Sequence, residues 1–140
     1  MHVPSVTAGY LAILALLYAA LALLVIRLRQ SNLAPFSDGG NVALRNAIRA
    51  HGSFIEYVPI ITLMVAFLEM SGTPATRIHV LMGALLLSRL IHPLGMYARP
   101  GTLLFWIGRA GGIFITISLL ITCAITTLSR TIAGASSALK

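Results

Sequence analysis

Apolar residues in this chain fall into four long runs separated by short polar breaks. The first run covers residues 6–26, enough helix to cross a hydrocarbon layer of about 30 Å. No basic stretch precedes it and no small-residue cleavage site closes it, so it reads as a retained helix and not a signal peptide. It ends in Arg27-Leu28-Arg29. Residues 30–41 carry turn signals in Asn32, Pro35 and Ser37-Asp38-Gly39-Gly40, with Asp38 or Asn41 placed to cap the next helix. The second run covers residues 42–70 and contains Pro59, which removes a bond to the Ile55 carbonyl and predicts a kink. Ser71-Gly72-Thr73-Pro74 makes a turn too short for anything but an antiparallel neighbour. The third helix is predicted at 75–96 and the fourth at 103–128, with a loop between them holding Arg99, Pro100 and Gly101. The small, polar tail from Ser129 to Lys140 is expected to be loosely ordered.

This pattern predicts an all-α integral membrane protein: residues 1–140 as one four-helix transmembrane domain. Composition agrees, with 58% hydrophobic and only 9% charged residues, which excludes an ordinary soluble domain. Ten Lys and Arg stand against three Asp and Glu. They sit at the ends of apolar runs instead of forming a basic patch, so no nucleic-acid partner is expected and the lipid bilayer is. Arg27, Arg29, Arg45, Arg99 and Arg109 lie at the first and third loops, against Arg77, Arg130 and Lys140 at the other end. That bias puts both termini outside the cytoplasm. Cys123, the single cysteine, lies in an apolar run and reads as packing. No metal site is expected.

Charge inside the runs changes the picture. Arg45, Arg49 and Glu56 fall within roughly 40° of one another on a helix, with Ser53 near the same stripe and His51 opposite. Each charge costs at least about 2.5–3.5 kcal/mol at bilayer depth. Glu56 and Arg89 both lie about 20 Å from the outer face at helical rise. Arg49, Arg109 and, at the edge, Arg27 join that layer. All four helices therefore send a basic group into one slab containing one carboxylate. Other readings stand beside this one: Arg27, Arg29 and Arg99 snorkelling to headgroups, Arg49–Glu56 as a structural pair, His92 as a packed histidine. His2 and His79 read as interfacial and inert, Glu69 as solvated, and Gly111-Gly112 as a close helix contact. The slab suits a small anionic ligand that also carries an ammonium group or a thiol. Glutathione meets these requirements, but spacing alone does not select it.

Arg49-Ala50-His51, Phe54 and Glu56-Tyr57-Val58-Pro59 resemble the second-helix signature of the MAPEG family, the membrane-associated proteins in eicosanoid and glutathione metabolism. Arg27-Leu28-Arg29, Asp38-Gly39-Gly40-Asn41 with Leu44-Arg45, Glu69, Ser88-Arg89-Leu90-Ile91-His92 with Leu94-Gly95-Met96, and Arg109-Ala110-Gly111 with Thr116 extend the likeness over nearly the whole chain, in the style of bacterial members. The resemblance implies a homotrimer with glutathione as co-substrate between neighbouring subunits near the cytoplasmic side. It implies that Arg27 and Arg49 hold the glutathione carboxylates, that Glu56 takes the amino group, and that Tyr57, Arg89 and His92 contribute, Arg89 structurally or directly. Arg109 would stabilise the thiolate, with Arg99 as the fallback. Ser53 stands where the family usually has asparagine; it keeps one donor and acceptor on a shorter side chain.

Two functions follow as expectations. The first is a glutathione-dependent transferase or peroxidase of the bacterial inner membrane acting on a hydrophobic electrophile or lipid hydroperoxide. The alternative is a non-enzymatic trimeric membrane protein that binds an anion or lipid. A small four-helix transporter fits less well, because the first helix carries no carboxylate.

Overall fold

The computed structural model describes residues 3–99 and 101–138, with backbone alone at Ala135, Ser137 and Ala138. His2, Pro100 and Lys140 lie outside the described residues. Helix α1 spans Ser5–Ser31, α2 Val42–Met70 and α3 Ala75–Tyr97. A fourth helical run, α4, begins as an α-helical turn at Leu103–Trp106, widens into a π-helical turn at Ile107–Gly111, and continues as α-helix over Gly112–Ala138. Each of the four is long and apolar enough to cross a membrane.

Helices α2 and α3 form the central pair. Both outer helices, α1 and α4, pack on that pair, and among the described residues they do not approach each other. The shared core runs through Leu14, Phe54, Val58, Ile61, Val65, Ile78, Met82, Leu85 and Cys123. In α1 only Thr7, Leu14 and Leu21 are buried, a stripe repeating every seventh residue. The rest of α1 presents apolar side chains outward, as a lipid-facing helix does; Leu16, for example, is 75% exposed.

The ends are held by specific polar contacts. Asn41, not Asp38, caps α2: its side chain accepts from the Leu44 N–H at 3.0 Å. Asp38 instead pairs with Arg45. The Arg45 guanidinium, then the Gly40 N–H, holds the Asp38 carboxyl below its ordinary range. Arg29 is not a free snorkelling cation. One of its terminal nitrogens donates to the carbonyls of Ala34, Pro35, Phe36 and Ser37, all within 3.2 Å, and folds the first loop around itself.

Glu69 is not simply solvated either. Its carboxylate accepts from the Val6 N–H (2.9 Å), the Thr7 N–H (2.8 Å) and the Thr7 hydroxyl (2.6 Å), capping α1 from the far end of α2. That satisfies amide groups which Pro4, the N-cap residue, has no side chain to reach. His79 meets Tyr10 edge-on, with ring centroids 5.7 Å apart, so it packs against α1 instead of standing idle.

Helix α2 spans the predicted 42–70 with Pro59 inside it. One expectation changes. Helix α4 continues ten residues beyond the predicted end at Leu128. The hydroxyls of Thr126, Ser129, Thr131 and Ser136 bond back to carbonyls three or four residues earlier, so the polar tail satisfies its own groups as helix.

Candidate functional site

One cavity of about 450 Å³ lies between α2, α3 and α4. Its polar wall comes from α2, where Arg49, Ser53 and Glu56 recur at helical spacing on one face. Gly52 leaves space beside them, and Tyr57 also lines the cavity. His92 and Met96 enter from α3, Arg109 and Ile113 from α4. Arg49, Ser53, Glu56, Tyr57, His92 and Arg109 are thus brought to one cavity from three helices.

No ion pair among the described residues engages the charges here. Asp38–Arg45 is the ion pair found among the described residues, so the alternative reading of Arg49–Glu56 as a structural pair is not met. Arg49, Glu56 and Arg109 remain exposed toward the cavity mouth. The Arg109 guanidinium sits 5.1 Å from the centroid of the Phe105 ring, a cation–π contact one turn back along its own helix. Arg99 does not line the cavity.

Arg89 plays a different part. It is 2% exposed and absent from the cavity lining. It donates to the Ser53 carbonyl at 3.1 Å, the Ser53 hydroxyl at 3.4 Å, the Ser88 hydroxyl at 3.3 Å, and the Thr116 hydroxyl. Thr116 passes its own proton to the Gly112 carbonyl at 2.7 Å. Arg89 therefore bolts α2 and α4 to α3 behind the cavity and orients Ser53 within it. Arg27 is exposed on α1 and does not reach the cavity, because α1 lies across the central pair from α4.

Arg109 owes its position to glycine. A Cβ on Gly108 would lie 2.3 Å from the Gly95 Cα, and one on Gly95 would lie 2.6 Å from the Arg109 amide nitrogen. Backbone meets backbone here, which only two glycines permit. Gly112 continues the contact: its Cβ would meet His92 at 3.2 Å, whereas Gly111 has only ordinary neighbours. The close face is thus Gly108-x-x-x-Gly112, a small-residue spacing visible in the sequence, and not the Gly111-Gly112 pair. The π turn at Ile107–Gly111 adds one residue to the helical circuit at this contact. His92 is 6% exposed, and its Nδ1 finds no hydrogen-bond partner among the described residues. Asn46 fastens the base of the site by donating to the Met96 carbonyl at 2.8 Å.

A larger cavity, about 510 Å³, lies between α1 and α2 and has no charged side chain in its lining, so it takes no part in the polar arrangement.

The family model for MAPEG proteins matches residues 7–128, all four helices from the first turn of α1 to the middle of α4. The chain belongs to the MAPEG family. It is 37% identical over 94 residues to the inner membrane protein YecN of Escherichia coli strain K12, a match covering 67% of this chain and 72% of that protein. The same protein of Escherichia coli O6:H1 strain CFT073 matches equally. No solved structure matches. As a MAPEG member the protein is a multi-pass membrane protein, so the polar cavity between α2, α3 and α4 is a polar site within a lipid-facing bundle.

Proposed function

We propose that this MAPEG protein binds glutathione in the α2–α3–α4 cavity and presents its thiolate to a hydrophobic electrophile or a lipid hydroperoxide. The observation that carries this reading is the set of unpaired charges, Arg49, Glu56 and Arg109, lining one cavity of about 450 Å³. That volume lies within the range of roughly 300–1,000 Å³ usual for small-molecule sites. The arginine of α2 suits a carboxylate, which it can engage bidentately. Glu56, one helical face along, suits the ammonium group. Arg109 is the cation placed to keep the sulfur as thiolate, the nucleophilic form.

The protein supplies orientation and electrostatic stabilisation, with no covalent nucleophile of its own. In conjugation, sulfur bonds to the electrophilic carbon and the leaving group departs with the electron pair. In peroxide reduction, sulfur attacks the terminal oxygen, the O–O bond breaks to release the alcohol, and a second glutathione closes the disulfide with loss of water.

The same reading includes a homotrimer in which Arg27 of a neighbouring copy completes the carboxylate site. It supports an orientation with both termini outside the cytoplasm, from the arginine bias of the loops. An inner-membrane location follows the name of the Escherichia coli relative.

Calorimetric titration of glutathione into the detergent-purified protein tests the proposal. Wild type is expected to bind, and Glu56→Ala to bind at least about tenfold more weakly, the loss of one charge-assisted contact. A folded wild type that binds no glutathione would sink the proposal and favour the non-enzymatic anion- or lipid-binding protein.

A further inference from the structure

The opposite end of the bundle holds a second polar site that the glutathione reading does not use. Two adjoining cavities, of about 420 and 320 Å³, lie on either side of Arg130 and share Leu68 in their walls. Arg77, Thr73 and Thr76 line the smaller one, from the turn between α2 and α3 and the first turn of α3.

Neither arginine pairs with an acid among the described residues. The chain contains three Asp and Glu. Asp38 is paired with Arg45, Glu56 lies in the candidate site, and Glu69 is committed to the start of α1. One guanidinium nitrogen of Arg130 donates to the Ser71 carbonyl at 3.2 Å, which anchors the side chain across the turn and leaves its other donors available.

Two further features call for an acceptor. The Thr73 side chain is 9% exposed, and its hydroxyl has no hydrogen-bond partner among the described residues. A buried hydroxyl in that state costs free energy unless something bonds to it. Helix α3 also starts without a side-chain cap, because its N-cap residue is Pro74. The Arg77 N–H bonds to the Pro74 carbonyl at 2.9 Å, while the positive end of the α3 dipole lies at the turn that lines this cavity through Thr73, Thr76 and Arg77. One helical turn deeper, Val80 lines the cavity while 65% exposed to the surroundings.

We propose that the cavities flanking Arg130 bind the phosphate of an anionic phospholipid, held by Arg77, Arg130, the Thr73 hydroxyl and the uncapped start of α3. The cations set the preference for negative charge. The amide and hydroxyl donors recognise phosphate oxygens. The apolar surface at Val80 receives the acyl chains, which favours a lipid over a free phosphate. This site is independent of the glutathione cavity and stands or falls without it.

Native mass spectrometry of the detergent-purified protein, titrated with phosphatidylglycerol, phosphatidylcholine or inorganic phosphate, tests it. Phosphatidylglycerol should bind about tenfold or more tightly than phosphatidylcholine, as two unpaired arginines imply. The double variant Arg77→Gln with Arg130→Gln should lose that preference, and Thr73→Val should weaken phosphatidylglycerol binding severalfold with unchanged thermal stability. Equal binding of the two lipids to wild type, or a preference that survives in the double variant, overturns the site. Displacement of phosphatidylglycerol by millimolar inorganic phosphate overturns the lipid assignment. Should the double variant not fold, Thr73→Val decides: unchanged phosphatidylglycerol binding refutes the proposal.

Discussion

Two arginines of similar depth do opposite jobs, and the difference is burial. Arg109 stands at the cavity with its charge uncommitted, while Arg89 is enclosed and spends its donors on hydroxyls and one carbonyl. Replacing Arg89 by Met should therefore destabilise the fold by roughly 3 kcal/mol. Hydrogen bonds to a charged group contribute about 1.5–3 kcal/mol each, and a membrane reference state recovers part of that. Arg109→Ala should leave thermal stability nearly unchanged and lower glutathione conjugation by about 100-fold or more, the scale of losing one electrostatic stabiliser of a developing charge. Thermal melting and a conjugation assay on both variants check this. If Arg109→Ala melts early and Arg89→Met does not, the roles assigned here are reversed. Arg89 and Arg109 are both visible in the sequence as arginines within apolar runs; which one faces the cavity is not, because that depends on how α3 is rotated against its neighbours.

The start of helix α4 is set in place by a contact with no side chains in it. Gly95 and Gly108 touch through backbone atoms, and Arg109 follows directly from that contact. Gly108→Leu should push α4 away from α3, since the intruding carbon meets backbone that cannot rotate aside. Overpacking usually costs about 1–3 kcal/mol, and this case belongs at the upper end. The expected readout is a lower melting temperature together with weaker glutathione binding, while Gly111→Ala, at a position with ordinary neighbours, changes neither. Equal effects at both glycines would show that the close approach does not position Arg109. The lengths and order of the four helices are legible from apolar runs and turn residues. The true end of α4 is not, because serine and threonine look like tail residues until their hydroxyls are seen bonding back along a helix.

At the scale of the whole molecule, the proposed homotrimer bears on the proposed site through Arg27. Arg27 lies on α1, across the central pair from the cavity, and cannot serve its own chain's Arg49 and Glu56. In an assembly with the site between copies, Arg27→Ala and Glu56→Ala chains should each, alone, bind glutathione at least about tenfold more weakly than wild type. Co-expressed, they should recover binding at roughly a quarter of the sites, because each cyclic interface needs an intact residue from both sides. Calorimetric stoichiometry of the mixed preparation measures this. Recovery of nothing, with both parents folded, would remove Arg27 from the site.

By itself the sequence determined four membrane-length helices, the antiparallel order of α2 and α3, and the shared face of Arg49, Ser53 and Glu56. These are local quantities: run length, turn chemistry and a period of 3.6 residues, all set within a few residues of chain. Only the tertiary structure decided that Glu69 caps α1, that Arg29 gathers the first loop, that Arg89 turns away from the cavity and that Arg27 stands apart from it. Each of these joins or separates elements distant in sequence. Each depends on the rotation and lateral order of helices, which packing between small residues and buried polar groups selects and no single helix encodes.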